Sequence, residues 1–435
     1  MANFKALAAS IVLSFAVSAL ATPVARESLF THPVTKTSAK NITATVAKDK
    51  ARLAKFNSEA TSSATVTNQL DSYVAAVKVG SQTFSLIVDT GSSNTWVGAS
   101  TKLNGGTSTG KSISVSYGSG SFSGTEYTDS VSIGSASVAS TATGFTGVDG
   151  IVGFGPVDLT LLTVSGTLTV PTFLDNLKSQ GTISTEALGV YFAPESGSDT
   201  DDANGELTFG GADSSKYTGS ITYTAKATSG TVSSYWGIAV SSISFGGQTI
   251  GSGLQAIVDT GTTLIYIPST AYSSFLSVGG GTTDIFSGLA KFDSKPTETF
   301  SFSIGGTTFN LTPAQYLIPT SQYSNFGLSG SAYYSWIGSG GSSGVDFIIG
   351  QKFLENYYSV FDTTQVVSSA ITARCSCALL TTQQQPCWLR HQGLKVEQNC
   401  AIFRCILIRI FILLGWSKSY PIVVVKPMLK IRCDF

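Results

Sequence analysis

Residues 86–93 read Leu-Ile-Val-Asp-Thr-Gly-Ser-Ser, and residues 256–263 read Ala-Ile-Val-Asp-Thr-Gly-Thr-Thr. Each copy has an apolar run before its aspartate and small hydroxyl residues after its glycine. Two like-charged carboxylates held close together cannot both ionise easily, so one keeps its proton and the pair offers a general base and a general acid. The doubled motif therefore predicts two similar lobes that face each other and contribute one aspartate each, Asp89 and Asp259.

The residues that follow each aspartate suit such a site. Gly91 and Gly261 permit a tight turn, so that backbone N–H groups can approach the carboxylate. Ser92 and Thr262 can each donate a hydrogen bond to the outer oxygen of their aspartate. Such donors stabilise the charged form, whereas mutual repulsion opposes the second charge. We therefore expect the two aspartates to titrate as a unit.

Thr90 and Thr260, the middle residues of the two triplets, could bond across the interface to the opposite turn and hold the lobes in register. A single Asp-Thr-Gly would be a weak signal, because turns often place Asp next to Gly. Two copies, both preceded by Ile-Val and followed by hydroxyl residues, are a strong one.

Elimination narrows the chemistry further. Residues 61–366 contain neither His nor Cys, and the two histidines of the chain are His32 and His391. A Ser-His-Asp or Cys-His nucleophile system is therefore excluded from this part of the chain, as is a zinc site made of His and Cys. Carboxylates, Lys and Tyr remain for proton transfer. We expect no metal, no cofactor and no covalent intermediate.

Composition favours an all-β chain. Charged residues make up 12% of the 435 residues and glycine is plentiful with 45, which is typical of short strands joined by Gly- and Ser-rich turns. The length suffices for two lobes with sizeable cores. Helical spacing is visible only around residues 44–56, 172–180 and 270–276.

Charge is segregated along the chain. Residues 61–366 hold 9 Lys, no Arg and 21 Asp plus Glu, a balance of −12. This acidic body argues against nucleic acid or an anionic membrane as partner and suits an extracellular protein. Residues 22–62 are basic instead, with Lys36, Lys40, Lys48, Lys50, Arg52 and Lys55.

Two interpretations of residues 22–62 stay open. They could be a solvated linker, or a propeptide that docks on the acidic body and covers its cleft until acid protonates the carboxylates. The charge asymmetry favours the propeptide. Residues 1–21 read as a secretory signal peptide, with Lys5, an apolar run and a small-x-small cleavage site. A membrane anchor is the alternative, but the apolar run is short for one.

These motifs together resemble those of pepsin-family aspartic proteases, especially the cysteine-poor, secreted fungal branch. The first motif extends over residues 89–96 as Asp-Thr-Gly-Ser-Ser-Asn-Thr-Trp, and residues 117–124, Tyr-Gly-Ser-Gly-Ser-Phe-Ser-Gly, match the hairpin flap of the family. Further matches cover residues 147–151, 205–210, 216–221 and 346–350.

The resemblance implies a mainly all-β, bilobal pepsin-like fold: two β-barrel-like lobes, residues 63–215 and 216–366, with the active-site cleft between them. It also implies that Tyr117 sits over the substrate and hydrogen-bonds Trp96, and that the N–H groups of Gly118 and Ser119 bind the peptide backbone. The expected activity is hydrolysis of peptide bonds in acid. The expected partners are extended peptides with apolar side chains at the cut and the chain's own propeptide as an inhibitor. We expect a monomer.

The C-terminal region departs from the family pattern. The family closes with a strand that carries a basic residue and a glycine after Phe-Asp, and both are missing after Phe361 and Asp362. All six cysteines lie beyond residue 366. We therefore interpret residues 367–435 as an anomalous tail, an artefact of the gene model. Asn310 begins an Asn-Leu-Thr sequon and is the glycosylation candidate of the body.

Two other classes of protein fit this sequence less well. A catalytically inactive, pepsin-like binding protein would usually lose an aspartate or the flap pattern, whereas this chain keeps Asp89, Asp259 and Tyr117. A cell-wall structural protein rich in Ser and Gly would not need the specific motifs.

Overall fold

The computed structural model describes residues 29–37, 41–57, 72–117, 120–129, 136–143, 145, 147–194, 204–342, 344–363 and 367–373. The signal peptide predicted for residues 1–21 lies outside this range, as does most of the predicted tail. Short strands dominate the described residues and helices are few, which confirms the all-β prediction.

The strands in chain order are β1 (Phe30–Thr37), β2 (Ser72–Val79), β3 (Gln82–Asp89), β4 (Trp96–Val97), β5 (Thr107–Tyr117), β6 (Gly120–Thr128), β7 (Ala136–Thr143), β8 (Gly150–Gly153), β9 (Ala187–Tyr191), β10 (Gly205–Phe209), β11 (Thr222–Ala225), β12 (Gly237–Phe245), β13 (Gln248–Val258), β14 (Ile265–Ile267), β15 (Gly281–Thr283), β16 (Ala290–Phe292), β17 (Phe300–Ile304), β18 (Thr307–Leu311), β19 (Tyr333–Ser335), β20 (Ile337–Ser339), β21 (Ile348–Ile349), β22 (Tyr357–Asp362) and β23 (Val367–Ala373). The helices are α1 (Ile42–Asn57), α2 (Phe173–Ser179), α3 (Ser269–Gly279), α4 (Pro313–Tyr316), α5 (Tyr323–Phe326) and α6 (Gln351–Leu354).

A sheet of 13 strands joins the two halves of the chain. Its strand order is β11-β23-β22-β9-β10-β1-β2-β3-β8-β4-β7-β6-β5. The first aspartate strand, β3, lies in it together with β22 from the far end of the chain. β1 lies in the middle, where it pairs antiparallel with β10 on one side and β2 on the other.

The second aspartate strand lies in a separate sheet of 7 strands, in the order β18-β17-β12-β13-β21-β14-β20. A small third sheet has the order β15-β16-β19. The two aspartate motifs therefore stand on different sheets, one from each half of the chain.

A buried strand runs parallel to each aspartate strand. β8 pairs with β3, opposing Gly153 to Asp89, and β21 pairs with β13, opposing Ile349 to Val258. Strands buried on both faces read as continuous apolar runs, which explains the Leu-Ile-Val and Ala-Ile-Val that precede the aspartates. The parallel partner fixes the direction in which each strand delivers its aspartate.

The helix α1 lies in the basic segment and docks on the body. Asn41 caps it, since its side-chain oxygen accepts hydrogen bonds from the backbone N–H groups of Thr43 at 3.0 Å and Ala44 at 3.4 Å. One face of α1 is buried, and its apolar members are Ile42, Val46, Leu53 and Phe56. The helices expected around residues 44–56, 172–180 and 270–276 are confirmed as α1, α2 and α3.

The described structure continues past the change in composition near residue 366. β23 pairs antiparallel with β22 and with β11, so the first residues of the predicted tail form a strand of the large sheet. Among the helices of the described part, none is long and apolar enough to cross a lipid bilayer.

Gly150 marks a close approach between β8 and β4. A Cβ atom at Gly150 would lie 2.0 Å from the carbonyl oxygen of Trp96, a backbone atom that cannot rotate away. We expect Gly150→Ala to lower the free energy of unfolding by about 1–3 kcal/mol, the usual cost of overpacking. Chemical denaturation monitored by tryptophan fluorescence measures this loss.

Gly251→Ala is the matched control. A Cβ atom there would meet the end of the flexible Leu254 side chain at 3.1 Å and no backbone atom among its nearest neighbours. We expect a change of less than about 0.5 kcal/mol. Equal effects of the two substitutions would contradict the steric explanation.

Candidate active site

Each aspartate stands at the end of its strand, on a turn held by the parallel neighbour. The carbonyl oxygen of Asp89 accepts a hydrogen bond from the N–H of Phe154 at 2.8 Å. The N–H of Asp259 donates to the carbonyl oxygen of Ile349 at 3.1 Å. Both carboxylates are buried, with exposed fractions of 1% for Asp89 and 0% for Asp259.

The two turns supply the same donors to the two carboxylates. The N–H of Gly91 donates to Oδ1 of Asp89 at 3.0 Å, and the N–H of Gly261 donates to Oδ1 of Asp259 at 2.9 Å. The hydroxyl of Ser92 donates to Oδ2 of Asp89 at 2.5 Å. The hydroxyl of Thr262 does the same for Oδ2 of Asp259, also at 2.5 Å. The inner oxygen therefore receives a backbone donor and the outer oxygen a hydroxyl.

Thr90 and Thr260 connect the two turns. The N–H of Thr90 donates to the hydroxyl oxygen of Thr260 at 2.9 Å, and the reverse bond measures 3.0 Å. Each hydroxyl in turn donates to a carbonyl oxygen of the opposite strand, Val258 at 3.2 Å and Val88 at 2.9 Å. The cross-lobe contact expected of these threonines is present, and each hydroxyl both accepts and donates a hydrogen bond across it.

Arg52 of α1 lies between the carboxylates. Its Nη2 contacts Oδ1 of Asp89 and, at 3.0 Å, Oδ1 of Asp259, and its Nε donates to Oδ2 of Asp259 at 2.6 Å. One nitrogen atom thus reaches the inner oxygen of both aspartates. From the sequence, Arg52 is only one of several basic residues, and it belongs to no motif that would predict a contact with the dyad.

Burial and the guanidinium act in opposite directions on the two acids. Burial raises the pKa of Asp89, and the neighbouring Asp259 adds to this, so that its net pKa lies above the ordinary value despite Arg52. Burial also raises the pKa of Asp259, but the charge and hydrogen bonds of Arg52, with those of Thr262 and Gly261, outweigh it and leave this pKa lowered. The two carboxyl groups therefore differ in their surroundings in the docked state, and as a closely coupled pair they titrate together.

The expected flap tyrosine lies over Asp89. Nε1 of Trp96 donates to the hydroxyl oxygen of Tyr117 at 2.9 Å, as the resemblance implies. The ring of Phe145 packs edge-on against both, with centroid distances of 4.9 Å to Trp96 and 5.5 Å to Tyr117. Burial and the charge of Asp89 raise the pKa of Tyr117, so its hydroxyl stays protonated. Gly118 and Ser119 lie outside the described residues.

A small cavity remains beside the first aspartate. Asp89, Tyr117, Phe145 and Ile151 line it from the body, while Lys48 and Arg52 line it from the basic segment. Its lining therefore mixes apolar side chains with a carboxylate and two cationic groups.

Further polar contacts fix α1 and β1 on the body. The carboxylate of Asp49 accepts hydrogen bonds from the backbone N–H groups of Thr263 at 3.1 Å and Leu264 at 2.9 Å. Lys36 of β1 is fully buried and forms an ion pair with Glu355. The basic segment therefore contacts the body at the dyad, at the turn after Asp259, at Glu355 and, through Asn57, at Val345.

Asn310 lies on β18, where its side chain is exposed and its Oδ1 accepts a hydrogen bond from Ser301 at 2.7 Å. Within the described ranges, no group of three or more His, Cys, Asp or Glu side chains is placed to hold a metal ion.

Comparison with known proteins identifies the family. The family model described as "Eukaryotic aspartyl protease" matches residues 72–371. The chain is 47% identical to polyporopepsin of Irpex lacteus, over 70% of this chain and 95% of that protein. It is 31% identical to pepsin A of Sus scrofa, over 68% of this chain and 80% of that protein.

A solved structure agrees with these relatives. The crystal structure of the aspartic proteinase from Irpex lacteus matches with a TM-score of 0.68 and 40% identity, covering 81% of this chain and 99% of that one. The bilobal pepsin-like fold and the resemblance drawn from the motifs are confirmed. The chain belongs to the eukaryotic aspartyl protease family, and it is an aspartic endopeptidase of the pepsin type.

The bonds between the two turns generate a prediction. Thr260→Val keeps the shape of the side chain but removes its hydroxyl, which leaves the N–H of Thr90 and the carbonyl of Val88 without this partner. An unsatisfied buried group costs about 1–3 kcal/mol, so the free energy of unfolding should fall by at least that amount. Thermal unfolding at neutral pH measures it.

Thr260→Ser is the control, because it keeps the hydroxyl and removes one methyl group. We expect it to retain most of the stability that Thr260→Val loses. If the valine variant were as stable as the serine variant, the cross-lobe bonds would not hold the two turns together.

Proposed function

We propose that this chain is secreted as a proenzyme and that its mature form cleaves peptide bonds in acid, with Asp89 and Asp259 as the catalytic dyad. One observation carries the proposal: a single nitrogen atom of Arg52 reaches Oδ1 of both aspartates. A group the size of one water molecule can therefore bridge the two carboxylates once the arginine has left.

The reaction needs only the dyad and water. With one proton shared between the aspartates, the ionised partner takes a proton from water as the oxygen attacks the carbonyl carbon of the peptide. The protonated partner stabilises the oxyanion that develops, and the dyad then delivers a proton to the leaving nitrogen. The hydroxyls of Ser92 and Thr262 hold the carboxylates in position throughout.

The support for a proenzyme is the position of the described part of the basic segment, residues 29–37 and 41–57. Arg52 occupies the place between the carboxylates, and Lys48 contributes to the cavity beside Asp89. A substrate cannot reach the dyad while α1 is docked. The segment acts as an intramolecular inhibitor, and the linker interpretation does not account for these contacts.

Acid weakens this inhibition through the dyad itself. The pKa of Asp259 in the docked state is lowered, against the effect of burial, by Arg52. An acid whose pKa is depressed stabilises the docked state above its ordinary pKa, and this contribution is lost as the pH falls through the depressed value. This contribution comes from Asp259 alone, because the pKa of Asp89 is raised in the docked state. We propose that its loss weakens the hold on the guanidinium and starts activation in acid.

Other features of the proposed enzyme stay predictions. The mature protein is expected to act as a monomer on extended peptides whose side chains beside the cut are apolar, and to bind neither nucleic acid nor membrane. Asn310 is the expected glycosylation site. Mass spectrometry of the secreted protein, which gives both termini and any glycan, tests the boundaries of residues 22–62 and the fate of residues 367–435.

Replacement of either dyad residue should abolish acid proteolysis. We expect Asp89→Asn and Asp259→Asn each to slow hydrolysis of denatured globin at pH 3–4 by about a thousandfold or more, because an amide can neither share the proton nor accept one. Asp293→Asn, at an exposed position, is the control and should keep full activity. Near-ultraviolet circular dichroism verifies the fold, and a folded but active dyad variant would refute the assignment.

The docked arginine gives a second prediction. Arg52→Leu removes the cation from between two buried carboxylates, which costs the docked state about 3–5 kcal/mol. The proenzyme should then expose its cleft at a higher pH than the wild type. Globin hydrolysis in the first minutes after dilution into a series of buffers of decreasing pH measures this shift.

Arg52→Lys keeps the charge but loses the fork of donors, so we expect an intermediate pH of activation. The same activation pH in all three proteins would show that Arg52 does not control access to the dyad.

A further inference from the structure

Gln351, the first residue of α6, contacts the turn that carries the second aspartate. It is completely buried, with an exposed fraction of 0%. Its side-chain Nε2 donates to the carbonyl oxygen of Thr260 at 2.8 Å, and its backbone N–H donates to the carbonyl oxygen of Thr262 at 2.8 Å. The residue thus holds the turn at two points.

The orientation of this side-chain amide follows from its partner. The carbonyl oxygen of Thr260 can only accept, so the NH2 group of Gln351 must face it. The amide oxygen of Gln351 has no hydrogen-bond partner among the residues that the structure describes. The side-chain amide of Gln351 therefore acts here only as a hydrogen-bond donor.

One peptide group connects Gln351 to the catalytic carboxylate. The carbonyl of Thr260 and the N–H of Gly261 belong to the same peptide unit, and that N–H donates to Oδ1 of Asp259 at 2.9 Å. A hydrogen bond accepted by the carbonyl polarises the unit and strengthens the bond that its N–H donates. Through this peptide unit, Gln351 therefore strengthens the hydrogen bond that Oδ1 of Asp259 accepts.

Among the described residues, the turn that carries Asp89 has no side chain in the equivalent position. The N–H of Gly155 donates to the carbonyl oxygen of Ser92 at 2.7 Å, as the N–H of Gln351 does to that of Thr262. Gly155 thus occupies the position equivalent to Gln351 but has no side chain. A Cβ atom there would lie 2.6 Å from the hydroxyl oxygen of Ser93.

We infer that Gln351 is a positioning residue of the reaction, which favours the ionised form of Asp259 through the Thr260–Gly261 peptide unit. This inference rests on the proposed role of Asp259 in the dyad. The ionisable groups that face this region in the mature enzyme are common to all the variants below: Asp89 on β3, Tyr235 before β12, Tyr266 on β14, and the Lys352–Glu355 ion pair at α6. Asp49 and Arg52 on α1 face it only while the basic segment is docked.

The test compares Gln351→Met with Gln351→Glu in the mature, acid-activated enzyme. Methionine has a similar length but no donor, so the pKa of Asp259 should rise. The acid limb of the pH profile of kcat/KM should then move up by about 0.5–1 pH unit. Active-site titration with a statine-type inhibitor counts the folded enzyme, so that lost stability does not appear as lost activity.

Gln351→Glu is the conservative replacement, and its carboxyl group changes from donor to acceptor when it ionises. A protonated glutamic acid can donate its O–H to the carbonyl of Thr260, so activity per active site near pH 3 should equal that of the wild type. An ionised carboxylate cannot donate and repels Asp259. Both effects raise the pKa of Asp259, so the alkaline limb, where the dyad loses its shared proton, should move to higher pH in this variant. This variant alone decides the matter if Gln351→Met does not fold.

Wild-type pH profiles per active site in the variants that fold would overturn the inference, because a purely structural role changes the amount of folded enzyme and not its titration. Asp259→Asn, assayed in parallel, separates this failure from a failure of the dyad. If that variant kept its activity, the proposed function would be wrong; if it lost activity while the profiles stayed unchanged, only the role of Gln351 would be wrong.

Discussion

Two carboxylates that are almost completely buried face each other in this protein, and most of the site follows from the cost of placing them there. Taking a charged carboxylate out of water is expensive unless hydrogen bonds replace those of the solvent. Each aspartate therefore receives a glycine N–H and a hydroxyl from its own turn. Repulsion between the acids is met by the guanidinium of Arg52 in the docked state and, as we propose, by a shared proton in the mature enzyme.

The duplication of the chain explains why these donors come in matched sets. Two strands of different sheets end at the same place, and each is directed by its own parallel neighbour. The threonine pair then fixes the distance between the two turns, which are separated by 169 intervening residues along the chain. The two turns have the same geometry, but their carboxyl groups differ in environment, because Arg52 contacts Asp259 through two nitrogen atoms and Asp89 through one.

Much of the site could be predicted because its functional residues lie close together in the sequence. The aspartates, their hydroxyl donors, the threonine pair and Tyr117 all belong to short motifs, and the apolar runs beside them indicate buried strands. The position of Arg52 could not be predicted in this way, since it depends on how α1 docks, and several basic residues share that segment. Gln351 belongs to no polar motif, and only the register of α6 against the Thr260 turn reveals it. The place of β1 is likewise a long-range pairing that local periodicity does not encode.

The position of β1 has a consequence for maturation. Neighbouring strands are about 4.8 Å apart, so loss of β1 would leave β2 and β10 separated by a gap of roughly 10 Å, each with a row of unpaired peptide groups. Open rows of this kind inside a sheet recruit any extended segment within reach. If the basic segment is removed as we propose, the position of β1 becomes open to another extended stretch of chain. A segment that occupied it would prevent the released piece from rebinding.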